Sequence, residues 1–126
     1  MSALSQPSET ETRRTAMLRT AFDGPVGAAL AAPDTIEILA NPDGSVWVEK
    51  AGFGLRRASE TLGRAERERI IRLVASSVGE ACDRASPIVS AELPGSGERF
   101  EGILPPVSEA PCFAIRKPAG HPIALD

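Results

Sequence analysis

The sequence holds few of the residues on which enzymes most often depend. Its 126 residues include one histidine, two cysteines and two lysines. Cys82 and Cys112 stand alone and form no metal-spaced pair, and His121 lies between glycine and proline with no obvious partner. Neither a G-x-S-x-G nucleophile elbow nor a G-x-x-x-x-G-K-S/T phosphate loop occurs. The sequence therefore predicts no metal site and no catalytic residues in this chain alone.

Aromatic residues and long apolar runs are scarce as well. Aromatics make up 4% of the chain, so we expect a core built mainly from valine, isoleucine, leucine and alanine. No apolar run approaches the roughly 20 residues of a transmembrane helix, and the polar segment 1–12 does not resemble a secretory signal. A formal net charge of −3 argues against direct nucleic-acid binding. These features favour a cytoplasmic protein with two reduced, buried thiols.

The composition and periodicity of the chain predict one α+β domain. Hydrophobic residues make up 42% of the sequence and charged residues 25%, which is typical of globular domains. Residues 1–13 are polar, and we expect a disordered tail there. Residues 14–126 are expected to form a single domain with a mostly antiparallel sheet and helices packed on one face.

Two segments give the clearest local predictions. Residues 41–44 read Asn-Pro-Asp-Gly between alternating apolar residues, which predicts a hairpin turn. The strongest helical pattern covers residues 64–81, with an apolar stripe at Ile70, Val74 and Val78. The run of arginine and glutamate at the start of this helix predicts a solvated face.

Two arginines in the last third of the chain are the candidate binding residues. Arg99 precedes Phe100, and Arg116 follows Phe113 and Ile115, which alternate at strand spacing. Both arginines are therefore expected on the face opposite the apolar side chains. Two guanidinium groups on one rigid face suit a cluster of anionic oxygens such as nucleotide phosphates. The spacing alone equally allows two solvated arginines on an open sheet face.

Five segments resemble the TrbB-type ATPases of conjugative transfer, and they occur in the order that this family has. They are residues 41–48 (NPDGSVWV), 68–75 (ERIIRLVA), 89–94 (VSAELP), 97–106 (GERFEGILPP) and 113–118 (FAIRKP). TrbB-type proteins belong to the hexameric traffic ATPases of type IV secretion. The ordered set covers residues 17–126.

The resemblance implies a two-domain protomer. Its N-terminal α+β domain joins a ring, and its RecA-like C-terminal domain carries the phosphate loop and binds ATP and Mg²⁺. Arginines of the N-terminal domain reach the nucleotide phosphates, and Arg99 and Arg116 match them, with Lys117 as an accessory candidate. Because the chain stops at Asp126, we expect that the RecA-like half is absent. This chain alone should then neither hydrolyse ATP nor bind it tightly.

The resemblance implies a ring-forming and nucleotide-clamping domain of a hexameric ATPase that powers conjugative DNA transfer or type IV secretion. Its implied partners are further copies of itself, the RecA-like domain and other secretion-machinery components. The resemblance is also compatible with peripheral contact at the inner face of the membrane. The alternative is a stand-alone interaction or regulatory module that joins or caps such a ring. An in-frame phosphate loop beyond codon 126 would favour the first function. A small ligand-sensing domain is a third class, for which the sequence offers no sign.

Overall fold

The structure is a computed structural model that describes residues 9–94 and 96–118. In chain order its elements are α1 (Glu9–Ala21), α2 (Pro25–Ala31), β1 (Thr35–Ala40), β2 (Ser45–Lys50), β3 (Gly54–Thr61), α3 (Arg64–Ser77), β4 (Ile88–Glu92), β5 (Arg99–Ile103) and β6 (Cys112–Arg116). All the described strands belong to one sheet of order β3-β2-β1-β6-β5-β4. Each strand pairing in it is antiparallel. The expected α+β fold with an antiparallel sheet is confirmed.

The helices pack on one face of this sheet. Ile38, Phe100 and Ile115 are fully buried strand residues on that face. They join Val26 of α2 and Ile71 of α3 in a single apolar core. Burial of aliphatic and aromatic side chains from both layers supplies the main stabilising free energy of such a domain. The predicted arrangement of helices on one sheet face is therefore confirmed.

The first helix reaches further towards the N-terminus than the sequence pattern predicts. α1 includes residues 9–13, whose polar composition predicts a disordered tail. Packing of the helix through Leu18, which is 3% exposed, overrides the low helical periodicity of that segment. Residues 1–8 of the predicted tail lie outside the described residues, and so does His121.

The third helix ends earlier than predicted. α3 stops at Ser77, and Gly79 follows with φ of +75°, a left-handed conformation that glycine adopts without steric penalty. Val78 therefore lies past the last helical turn and is 40% exposed. The predicted apolar stripe is wrong at Val78 and confirmed at Ile70 and Val74, which are buried in the core.

Arg67 departs from the predicted solvated charge run at the start of α3. Only 3% of the surface of Arg67 is exposed. Its Nε donates to Pro111 O at 2.6 Å, its Nη1 to Leu62 O at 2.6 Å, and its Nη2 to Pro42 O at 2.9 Å. Burial lowers the pKa of the guanidinium, but carbonyl acceptors satisfy its donors in place of a carboxylate. Arg67 thereby ties α3 to the β1–β2 turn and the β5–β6 connection.

The predicted hairpin turn between β1 and β2 is confirmed. Gly44 adopts φ of +93° in this turn. Asp43 Oδ1 accepts hydrogen bonds from the Ser45 hydroxyl at 2.6 Å and from the Ser45 N–H at 2.9 Å. These two hydrogen bonds hold the pKa of Asp43 below its usual value, and the one from the hydroxyl contributes more. Ser45 Oγ also accepts from Trp47 Nε1 at 3.1 Å, so the turn orients the indole.

Candidate functional site

Arg99 and Arg116 lie directly opposite each other on the adjacent strands β5 and β6. The next pair along these strands is Phe100 with Ile115, and both are fully buried. Phe100 also stacks on Phe113, with ring centroids 5.1 Å apart. Because neighbours along a strand face opposite sides, this packing turns both arginines away from the helices. We call the face that carries them the outer face.

An acidic residue flanks each arginine in the same row across the sheet. Glu37 of β1 is in register with Arg116, and Glu92 of β4 is in register with Arg99. Arg116 Nη2 lies 3.7 Å from Glu37 Oε2, yet the Arg116 side chain is 68% exposed. An exposed ion pair of this length contributes little to stability. The row therefore leaves the guanidinium of Arg116 accessible from solvent.

The register of the two arginines has an electrostatic cost. Residues directly opposite on antiparallel strands have Cβ atoms about 4.5–5.5 Å apart, and like charges there destabilise a sheet by a few tenths of a kcal/mol to about 1 kcal/mol. An anion held between Arg99 and Arg116 would replace this repulsion with two attractions. Each planar guanidinium can also present two parallel donors to neighbouring oxygens. The arrangement is thus suited to a polyatomic anion.

The next row of the outer face is apolar on three strands, between Arg57 of β3 and Glu101 of β5. Trp47 of β2 pairs with Leu39 of β1, which pairs with Ala114 of β6. All three residues are half-buried. Within residues 9–94 and 96–118 the helices contact the other face, so these side chains have no layer above them. The arginine pair therefore borders a small apolar surface.

Lys117 lies apart from the arginine pair. Its backbone N–H donates to Ile36 O at 2.9 Å. Its Nζ donates to Ala32 O at 3.3 Å, next to the C-terminal end of α2. Alternation along the extended chain accounts for this, because Lys117 follows Arg116 directly and turns to the opposite side. An accessory contact from Lys117 to the same anion stays a prediction.

The chemistry open to the arginine pair is anion binding. A guanidinium carries donors and no acceptor, and it stays protonated, so it stabilises negative charge but does not activate a nucleophile. Among the described side chains, no group of three or more histidine, cysteine, aspartate or glutamate residues is arranged to hold a metal ion. The donors of the outer face therefore suit phosphate-like groups.

The two cysteines lie away from the arginine row, and both are free thiols. Cys82 is 3% exposed, and burial raises the pKa of its thiol. Cys112 is half-buried at the start of β6, the end of the strand remote from Arg116.

In the described parts of the chain, no helix combines the length and apolar character needed to cross a bilayer.

The sequence patterns predict no functional role for Glu37, Glu92 or Arg67. The two glutamates occupy polar positions in alternating strands, but their place beside the arginines depends on strand order, which alternation does not reveal. Arg67 carried a readable signal. It precedes Ile70 by three residues and Val74 by seven, and this spacing places it on the apolar stripe of α3.

The chain is similar to curated conjugal transfer proteins. It is 40% identical over 109 residues to the probable conjugal transfer protein TrbB of Sinorhizobium fredii (strain NBRC 101917 / NGR234), a match that covers 86% of this chain and 33% of that protein. It is 42% identical over 91 residues to the conjugal transfer protein TrbB of Rhizobium radiobacter, covering 72% and 28%. The chain thus spans about a third of the length of these relatives. No family model matches it.

The fold is shared with a solved secretion ATPase. The crystal structure of the VirB11 ATPase from the Brucella suis type IV secretion system, in complex with sulphate, superposes with a TM-score of 0.81 at 24% identity. The match covers 94% of this chain and 35% of that chain. The two TrbB relatives confirm the resemblance drawn from the sequence, and the shared fold agrees with it: the chain belongs to the TrbB family of conjugal transfer proteins and corresponds to its N-terminal domain.

Proposed function

We propose that this chain is the ring-forming and nucleotide-clamping part of a hexameric ATPase that powers conjugative DNA transfer or type IV secretion. The observation that carries the proposal is the register of Arg99 and Arg116 on the outer face. Two neighbouring guanidiniums offer matched donors to the oxygens of a polyphosphate. Similarity to TrbB proteins over most of the chain supplies the biological setting.

The clamp acts through charge, and the reactive centre lies in another domain. In phosphoryl transfer, arginines stabilise the negative charge of the transferring group, whereas a phosphate loop and Mg²⁺ hold the nucleotide. This chain contains no phosphate loop. ATP and Mg²⁺ are therefore held by a RecA-like domain of the full-length protein, and Arg99 and Arg116 close over the phosphates.

The apolar part of the outer face supports this domain arrangement. Trp47, Leu39 and Ala114 lie in the row beside the arginines and are half-buried with no layer above them in the described structure. A second domain docked here would bury these side chains and exclude water from the arginine pair. Exclusion of water strengthens the attraction between a guanidinium and a phosphate.

The relationship to TrbB supports a proposal for the remaining partners. Copies of the protein form a six-membered ring and act with other components of the secretion machinery. The ring works in the cytoplasm and contacts the inner face of the membrane peripherally.

The test is ATP turnover by the full-length protein. Arg99→Ala combined with Arg116→Ala should lower kcat by about a hundredfold or more, because each arginine stabilises charge that develops in the transition state. Lysine at the same positions should restore little, since a point charge does not reproduce the planar donor pair. Arg69→Ala is the matched control, because Arg69 is an exposed arginine of α3.

Assembly is measured on the same variants. The exposed arginines contribute little to folding, so the double variant should keep the oligomeric state of the unmodified protein. Unchanged kcat in a correctly assembled double variant would return both residues to a solvated-surface role.

A further inference from the structure

Phe53 is the most exposed large apolar side chain among the described residues. It is 64% exposed at the turn between β2 and β3, with a glycine on either side. It lines a shallow groove on the β3 side of α2, together with Arg56. Arg56 is exposed, and it forms no ion pair with any acidic side chain that the structure describes. This surface therefore presents an aromatic knob beside an unneutralised positive charge.

A cavity of about 430 Å³ lies between the α1–α2 corner and a wall that includes Leu93 and Glu98, and it shares only Ala28 of its lining residues with the groove at Phe53. Its apolar wall includes Leu18, Phe22 and Leu93. Two carboxylates, those of Asp23 and Glu98, lie among its lining residues. The cavity thus combines an apolar wall with negative charge.

Glu98 is an unusual member of this wall. Its residue is 7% exposed, and its Oε1 accepts a hydrogen bond from the Ser96 hydroxyl. None of the lysine and arginine side chains that the structure describes pairs with it. Carboxylates that are mostly buried are normally paired with a positive group. Glu98 therefore offers a site for a cation that arrives together with an apolar group.

We infer that Phe53 of one copy inserts into this cavity of the next copy, with Arg56 facing Asp23 and Glu98. The inference rests on the ring formation proposed above and names the contact. The groove that Phe53 lines and the cavity share only Ala28 among their lining residues, so the contact joins two different surfaces. Head-to-tail contacts of this kind close into rings when the rotation between copies allows it. Aromatic anchors in apolar pockets beside complementary charges commonly dominate such interfaces.

The decisive experiment mixes two variants of this chain in sedimentation equilibrium. Phe53→Ser removes the knob and leaves the cavity. Ala31→Trp, at an exposed residue of the cavity wall, fills the cavity and leaves the knob. Each variant alone should self-associate at least about tenfold more weakly than the unmodified chain. Their equimolar mixture should form a one-to-one heterodimer and nothing larger, because only one productive contact remains.

Val107→Ser is the matched control, because Val107 is 57% exposed on the β5–β6 connection, away from both surfaces. It should associate as the unmodified chain does. A charge exchange provides a second arm: Arg56→Glu should weaken association, and Asp23→Arg in the same chain should restore it. Failure of the mixture to form heterodimers, unchanged association of Phe53→Ser, or an unmodified chain that stays monomeric would overturn the inference.

The full-length protein separates this contact from ring formation itself. If full-length Phe53→Ser still forms rings, the inferred contact through Phe53 is disproved and the proposed function is unaffected. A full-length protein that never assembles, with or without the substitution, would defeat the ring-forming proposal.

Discussion

Ile71 of α3 packs directly against Gly102 of β5. A methyl group built on Gly102 would lie 2.9 Å from Ile71 Cγ1 and 2.9 Å from Phe100 Cε1. Such a separation is well inside van der Waals contact, so any side chain at this position has to move the helix or the aromatic ring. Gly102 therefore sets the distance between α3 and the sheet that carries Arg99.

Gly102→Ala should accordingly destabilise the domain. Overpacking a well-filled core costs about 1–3 kcal/mol, and urea unfolding should show a decrease of that size in the free energy of unfolding. Gly102→Ala combined with Ile71→Ala should cost less than the sum of the two single substitutions, because the crowding Cγ1 and Cγ2 atoms of Ile71 are removed. An additive double variant would mean that the two residues do not crowd each other.

Replacing Arg67 should be among the most destabilising substitutions in the chain. Arg67→Met keeps much of the side-chain volume but leaves the carbonyls of Pro111, Leu62 and Pro42 without their donors. Each buried acceptor left unpaired costs about 1–3 kcal/mol, so we expect a total loss of about 3 kcal/mol or more. Arg69→Met, on an exposed position of the same helix, is the control and should change the free energy of unfolding by less than about 0.5 kcal/mol.

Arg67→Lys tests whether the stability of the domain depends on the branched guanidinium group or only on its positive charge. One ammonium group cannot match the spacing of three carbonyls that a guanidinium reaches with three different nitrogens. The lysine variant should remain clearly less stable than the unmodified chain in the same unfolding measurement. Full stability of Arg67→Lys would show that a single positive charge suffices.

Local patterns predicted the parts of this fold that depend on near neighbours in sequence. The turn at residues 41–44 and the alternation around Arg99 and Arg116 were readable because turn chemistry and strand periodicity act over a few residues. The pairing of β1 with β6, which places Glu37 beside Arg116, joins distant segments. No local period encodes that choice, so the acidic flank at Glu37 was not predictable.

Two departures from the sequence prediction share one physical cause. Val78 has the hydrophobicity of a core residue, but the helix ends one residue before it, and the side chain is left 40% exposed. Arg67 has the charge of a surface residue, but loop carbonyls from three parts of the chain converge on it. The spacing of the apolar stripe decided the prediction at Val78 and the charge run decided the one at Arg67, whereas helix termination and long-range contacts decide the actual burial.

Removing one arginine of the outer pair should not weaken the isolated domain. Arg99→Gln eliminates the like-charge pair with Arg116, so the free energy of unfolding should stay unchanged or rise by up to about 1 kcal/mol. Inorganic triphosphate at high concentration should raise the melting temperature of the unmodified chain more than that of Arg99→Gln. The difference should shrink as NaCl is added, because salt screens exposed charges. Equal shifts in both proteins at low salt would show that triphosphate binds elsewhere.

The turn network around Asp43 should give the domain an acid-sensitive component of stability. The Ser45 hydroxyl and N–H lower the pKa of Asp43 in the folded state relative to the unfolded chain. This contribution to stability is therefore complete above the pKa of Asp43 in the unfolded chain and is lost as the pH falls through its pKa in the folded state. Asp43→Ala should therefore have a lower melting temperature than the unmodified chain at neutral pH. The difference between the two melting temperatures should become smaller below about pH 4.

Fluorescence of Trp47 provides the readout, because it is the only tryptophan and its Nε1 donates to Ser45 Oγ. Ser45→Ala removes the group that contributes most to the lowered pKa of Asp43. Its stability should therefore lose most of the acid dependence that Asp43→Ala also loses. The double variant should lose little more acid dependence than Asp43→Ala alone, since the hydroxyl–carboxylate hydrogen bond that Ser45→Ala removes is already absent there. An acid-induced change in fluorescence that survives in Asp43→Ala would assign that transition to another carboxylate.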